Sequence, residues 1–329
     1  MARLTTFSRL LITIAIVAGI FLGVKYVLKQ TGMSPEGQAA QQTEAPAPGS
    51  SQEAGTENGA TLTFTAPAFN YAPAQPVNGK LKGIVELGAT GFNSFIINVD
   101  AKKNWKLEKS EFGVSLVKEG LATDEDVKTG LRRYIADMVA FGVGARDIHF
   151  MVSSGARKEP IMPKIEAALK AMGYVVNVVS PEQEGQYGLK AALPSSFYKS
   201  GFMVDIGSGN TKISWYPKGA IELPGAKYYQ NNLTAEQVAQ EVKTKAAQVP
   251  QNLRQTCFII GGVPFELARQ TRKDKERYTV LKAPGEYKAE GAKQQAGLNI
   301  YNAIAETTGC KQFVFDWDAN FTIGFLLEL

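Results

Sequence analysis

The chain has 329 residues, 44% apolar and 20% charged, enough to bury a sizeable core over two domains of roughly 100–200 residues each. Most of its net charge of +5 lies in the first 30 residues, which hold Arg3, Arg9, Lys25 and Lys29 and no acid. The remainder is nearly neutral, so charge gives no argument for nucleic acid. One histidine, His149, and two distant cysteines, Cys257 and Cys310, come close to excluding His-based zinc sites and Ser-His-Asp triads. A disulfide framework is not expected, and two buried free thiols and a structural histidine are.

The chain opens with Arg3 and Arg9 before an apolar run from Leu10 to Val24, which Lys25 interrupts and Tyr26-Val27-Leu28 extends. That span approaches the ~20 residues a bilayer requires, with Lys25 able to snorkel. Residues 1–30 are therefore predicted as a retained membrane anchor, with a cleaved signal peptide as the rival. Charge at the two ends of the run is nearly balanced. The next segment, "MSPEGQAAQQTEAPAPGSSQEAGTENGA", has acids but no Lys or Arg, which places the amino terminus in the cytoplasm and the bulk outside, in a periplasm-like space. Residues 31–79 are rich in Ala, Pro, Gly, Ser, Gln and Glu and read as a disordered linker. Within them the patch "LTFTAPAFNYAP" is a candidate to pack on the domain or on a partner.

From Lys80 the pattern changes. "GIVELGATGFNSFIINVD" reads as strand, Gly turn, strand, and "WKLEKSEFGVSL" as a further strand region. "TDEDVKTGLRRYIADMVAFGV" opens on a good N-cap, Thr123, and repeats its apolar residues at helical spacing. "DIHFMVSS" is a strand, "IMPKIEAALKAMGYVVNVVS" a helix ending near Gly173 and then a strand, and "EQEGQYGLKAAL" a helix. The pattern then restarts. "GFMVDIGSGNTKISWYP" is strand, Gly turn, strand; "AIELPGAKYY" is a strand with a turn; "TAEQVAQEVKTKAAQV" is a helix. "QTCFIIGGVPFELARQ" is strand, turn, helix, and "GLNIYNAIAETTGC" and "KQFVFDWD" give a helix and a strand.

The restart is a repeat. Acid-aliphatic-Gly stands at Glu86-Leu87-Gly88 and again at Asp205-Ile206-Gly207, each time between two strands. Two acid-bearing hairpin tips facing each other across a cleft would cradle a phosphate group and its metal. Backbone N–H groups of the glycine turns would approach the oxygens, and the acids would hold Mg²⁺ directly or through water. A lone D-I-G-x-G has a structural explanation in most proteins, and it is the pair that points to phosphate.

With these motifs in order the sequence resembles the exopolyphosphatase/guanosine-pentaphosphate phosphohydrolase (Ppx/GppA) family of the actin–hexokinase–Hsp70 superfamily. The likeness runs from Lys80 to Leu329 through "ELGATGFNSFII", "KEGL" (118–121), "SSGAR" (153–157), "VSPEQEG" (179–185), "DIGSGNT" (205–211) and "IGGVP" (260–264). It implies an α/β protein with two ribonuclease-H-like (actin-like ATPase) domains around a central cleft, at residues 80–197 and 198–329. It implies Glu184 as the base that activates water, with Glu86 and Asp205 as metal ligands for Mg²⁺. The expected phosphate contacts are Arg157, Gly88, Thr90, Gly207, Ser208, Gly209, Asn210, Thr211, Lys212, Gly261 and Gly262. The family's frequent dimers make a homodimer an expectation too.

The sequence departs from the family's pattern at Glu86 for Asp, at Ala89-Thr90-Gly91 for Ser-Asn-Ser, at Asn93 for Arg and at Asn210 for Ser. Gln183 stands for one Glu of an acidic pair, and Lys212 puts a positive charge where the family has a metal-helping acid. Lys binds phosphate as a point charge but repels a metal. Each candidate also has an ordinary reading: Arg157 as a surface charge, Glu184 as an acid at a solvated helix start, Glu86 as a turn cap. Two functions are therefore expected. The first is a membrane-tethered hydrolase removing terminal phosphate from polyphosphate or another phosphoanhydride. The alternative is a catalytically degenerate phosphate-chain- or nucleotide-binding sensor or interaction module on the same fold.

Overall fold

The computed structural model describes Phe64 and residues 69–88, 92–113 and 124–329. The predicted anchor, most of the predicted linker, Thr90 and the 118–121 segment lie outside the described residues, among which no helix is long and apolar enough to cross a membrane.

The repeat seen in the sequence is a repeat of topology. In the first half β1 (Lys80–Leu87), β2 (Phe92–Val99) and β3 (Trp105–Phe112) form an antiparallel meander. Then β4 (Ile148–Val152) and β5 (Val176–Val178) add in parallel on the far side of β1, giving the order β3-β2-β1-β4-β5. In the second half β6 (Gly201–Ile206), β7 (Asn210–Trp215) and β8 (Gly219–Pro224) repeat the meander. Parallel strands β9 (Thr256–Ile260) and β11 (Phe313–Asp316) follow on β6, and the edge strand β10 (Tyr278–Val280) runs antiparallel to β11. The order β10-β11-β9-β6-β7-β8 is thus the first sheet's plan with one strand added. Strands β1 and β6 are central, buried on both faces, and read as near-continuous apolar runs.

Helices cover these sheets according to their apolar stripes. On one face of the first sheet lie α1 (Asp124–Phe141), through Val127, Leu131 and Met138, and α2 (Met162–Ala171), through Met162, Ile165 and Leu169. The second sheet is covered in the same way by α4 (Ala235–Ala246) and α6 (Ala292–Thr308), with α5 (Gly262–Arg269) beside them. Between the sheets run α3 (Pro181–Ala192) and α7 (Phe321–Glu328). Ala191 of α3 belongs to the first sheet's core, and Leu189 and Ala192 to the second's. The α7 side chains Phe321, Ile323, Leu326 and Leu327 pack on Ile84, Phe95, Ile97 and Met151, so this helix, late in the chain, completes the first sheet. Burial of each such side chain contributes about 1.5–3 kcal/mol. Gly324 lets α7 approach α3 closely, since a Cβ there would collide with the carbonyl oxygen of Tyr187.

Part of the segment predicted as linker is packed on the domain. Phe64 stacks on Phe313 with ring centroids 5.6 Å apart. Phe69 sits among Phe197, Phe258 and Tyr278, and Tyr71 edges against Phe197 and Tyr278. Six residues on, the Val77 N–H donates to Asp100 at the end of β2. The aromatic residues of this Ala/Pro-rich stretch therefore overcome the composition around them. Cys257 and Cys310 are both buried free thiols, as expected, and His149 packs edge-on against Phe325.

Candidate functional site

Four of the residues singled out from the sequence meet where the two halves face each other. Glu86 is the last residue but one of β1, Asp205 holds the same place in β6, Lys212 lies opposite Asp205 on β7, and Glu184 projects from the start of α3. Local chemistry fixes the start of α3. Ser180 accepts from the Gln183 N–H, the Gln183 side chain accepts from the Ser180 N–H, and Pro181 takes the first helical position. Gln183, where the resemblance expects an acid, is thus half of a capping box, and the next residue, Glu184, is turned inward and buried.

Glu184 is heavily engaged. Its Oε1 accepts from the backbone N–H of Ser154 at 2.6 Å and its Oε2 from the Ser154 hydroxyl at 2.9 Å. The same Oε2 is in direct contact with the Lys212 ammonium, which also lies 3.9 Å from Asp205 Oδ2. Only 2% of the Glu184 side chain and 8% of Lys212 remain exposed, so this is a buried ion pair. Burial alone would push the Lys212 pKa down, but the charges of Asp205, Glu184 and Glu86 more than offset it and raise it. Asp205 is pushed up by burial, against the pull of Lys212.

Glu86 is handled differently. Its Oε2 accepts from the side-chain amides of Asn93 (3.1 Å) and Asn320 (3.2 Å), the latter being the N-cap of α7. Burial, reinforced by Glu184 and Asp205, outweighs these bonds and raises its pKa from 4.5 to about 7. Between these two values the folded protein holds a proton that the unfolded chain has released. The associated stability is fully present below pH 4.5 and is lost as pH rises through 7. Glu86→Gln is expected to be more stable than wild type above pH 8, by about 2–3 kcal/mol. Urea unfolding of both proteins at pH 5 and pH 8.5 checks this. The comparison must be with wild type, because His149, held below its ordinary value of 6.5 by burial, gives a slope of opposite sign.

The glycine loop between β6 and β7 is braced from below. Carbonyls of Gly207, Ser208 and Gly209 accept from the N–H groups of Ala226, Lys227 and Gly225. Asn210 gives its side-chain amide to Glu222 at 2.8 Å, and the Thr211 hydroxyl is fully buried with no protein partner. Thr211 therefore faces the core rather than the cleft. Gly261 sits at φ +108°, where a side chain would be strained and would collide with the Ile206 carbonyl oxygen. This turn holds the first turn of α5, with Gly262 and the nearby Lys293 ammonium, against the Asp205 end of β6. Gly88 is buried just after β1, and the neighbouring Leu87 carbonyl accepts from the Ser153 N–H. Arg157 is exposed in the turn that carries Ser154.

Glu86 and Asp205, expected to hold Mg²⁺, lie in one cluster with Glu184 and the cationic Lys212. Among the described residues no three His, Cys, Asp or Glu side chains are grouped to hold a metal ion, and the cationic Nζ of Lys212 lies 3.9 Å from Asp205 Oδ2. Hard divalent cations need oxygen donors around them, and an ammonium among those donors repels them.

Sequence reasoning missed Asn320 and the buried Arg277–Asp316 pair, which lie in none of the family segments, and Ser154, which stands in S-S-G-A-R beside the arginine that segment was chosen for.

No sequence-family model matches the chain, and no curated protein matches it. Solved structures do. A Ppx/GppA enzyme from Aquifex aeolicus superposes with a TM-score of 0.59 at 19% identity, over 76% of this chain and 99% of that one. The type II variant of the Aquifex aeolicus Ppx/GppA phosphatase gives 0.57 at 18%, over 76% and 99%. An exopolyphosphatase-like protein gives 0.55 at 13%, over 77% and 98%. The class is therefore an actin-like α/β fold. More particularly, the chain has the fold of the Ppx/GppA structures.

Proposed function

We propose that this protein is a non-hydrolysing member of the Ppx/GppA fold, a module that binds a phosphate chain or related phosphoanhydride without cleaving it. The observation that carries this reading is the state of Glu184. A general base needs a free lone pair aimed at the attacking water. Here the carboxylate accepts two bonds from Ser154 and is paired with Lys212. Support for an anionic ligand comes from the other wall of the cleft. There the first turn of α5 follows the Gly261-Gly262 turn, and the Lys293 ammonium, 3.7 Å from Glu266 Oε1, lies beside it. The apolar run in residues 1–30 would hold the module at a membrane, with the folded part outside the cytoplasm.

The test uses the full-length chain with long polyphosphate. Binding is expected to weaken with added salt and by about tenfold in Lys293→Glu, as for loss and reversal of one phosphate-facing charge. No phosphate release is expected with Mg²⁺ or Mn²⁺. Release that Glu184→Gln abolishes would overturn this reading in favour of a hydrolase. One observation favours that second reading: Glu86, in the same cluster, is poised to gain or lose a proton near neutral pH.

A further inference from the structure

The carboxylates that converge here raise a question of charge: what neutralises them? We propose that the Lys212 ammonium is the resident cation of this cleft, standing where a divalent ion would otherwise sit, so that the folded protein binds neither Mg²⁺ nor Mn²⁺ at the cluster. The inference goes beyond the reading above, because it concerns the unliganded protein and holds whether or not a phosphate chain binds.

Three observations place the ammonium. First, Lys212 is the cross-strand partner of Asp205 in the β6–β7 ladder, and directly opposed side chains project from the same face of a sheet. The sheet therefore points the lysine at this carboxylate by register. Second, the stem is packed. A Cβ on Gly185 would lie 3.7 Å from Lys212 Cβ and 3.9 Å from its Cγ, and 2.8 Å from the Ser214 hydroxyl. The glycine after Glu184 leaves room for the Ser214 hydroxyl, and the lysine stem passes beneath the helix at ordinary contact distance. Third, the ammonium reaches both Glu184 and Asp205, from opposite sequence motifs, and is itself almost fully buried.

Lys212 and Gly185 line a cavity of about 350 Å³ that also includes Ser180, Glu182, Ser214 and Glu222, so the lysine lies between that cavity and the carboxylates it pairs with.

The test is a Mn²⁺ titration of the full-length chain, followed by electron paramagnetic resonance and by thermal unfolding. Wild type should show no bound Mn²⁺ that depends on Asp205 and no metal-induced rise in Tm. Lys212→Ala and Lys212→Asp should each bind Mn²⁺ at least about tenfold more tightly than wild type and gain a Mn²⁺-dependent rise in Tm, because a repelling charge has been replaced by space or by a ligand. Adding Asp205→Asn to either variant should remove the gain. A variant that folds only when Mn²⁺ is present also supports the proposal. Folded variants that bind Mn²⁺ no better than wild type overturn it. If neither variant folds under any condition, wild type decides alone: Mn²⁺ binding that Asp205→Asn abolishes overturns the proposal, and its absence upholds it.

Discussion

Lys212→Met is expected to lower folding stability by about 3–5 kcal/mol, the usual cost of removing one partner from a buried ion pair. Methionine replaces the stem's volume, so the loss reports charge rather than packing. What remains is Glu184 with 2% of its side chain exposed and Asp205 with 14%, facing each other without a counter-charge. Adding Glu184→Gln to the same chain should recover most of the loss, since an amide carries no charge to leave unpaired. Denaturant unfolding of wild type, the two single variants and the double variant closes the cycle. Equal losses in the single and the double variants would show that the pair is not what Lys212 contributes.

Arg277→Met should be comparably damaging, again by about 3–5 kcal/mol. Arg277 Nε and Nη2 donate to Asp316 Oδ1 and Oδ2, each at 3.0 Å, and only 1% of the Asp316 side chain is exposed. The guanidinium also lies 4.3 Å over the ring of Trp105 and 5.2 Å from that of Tyr278. Trp105 begins β3 of the first sheet, whereas Arg277 precedes β10 of the second. One residue thus satisfies a buried acid and joins the two halves. Arg277→Lys keeps the charge but loses the two-pronged geometry and the stacking surface. It should cost about 1–2 kcal/mol. Thermal unfolding of both variants orders these effects. A Lys variant as damaged as the Met variant would mean that geometry, not charge, governs this pair.

Much of this was legible in the sequence, for reasons that particular residues make clear. The acid-aliphatic-Gly repeat at Glu86 and Asp205 marks two central strands, each ending at the cleft, and a duplicated meander follows from it. The helix read in "EQEGQYGLKAAL" is α3, but its capping start at Ser180, Pro181 and Gln183, which sets the phase of Glu184, lies just outside that stretch. Other features escaped because local pattern does not hold them. The stretch that becomes α7 is almost wholly apolar, so no period separates its faces. Asn320 and Glu86 are 234 residues apart and meet only through that helix. Lys212 was read as a phosphate contact that would repel a metal. The ammonium points at two carboxylates because of the strand register, which no local spacing reveals.

The placement of α7 also has a consequence for the order in which the chain acquires its structure. All the strands of the first sheet have been made by Val178, yet one face of that sheet is covered by residues 321–328 together with Ala191 of α3. Lys82 on β1 donates to the carbonyl of Leu326, a contact spanning 244 positions. Contacts so distant in sequence slow folding, since a long loop must close before they contribute. Until α7 docks, Ile84, Phe95, Ile97 and Met151 lack the side chains of Phe321, Ile323, Leu326 and Leu327 that complete their cover. The sequence repeat therefore does not describe two units that mature one after the other: the first half waits for the last helix, and in that interval it is the part of the molecule most prone to aggregate.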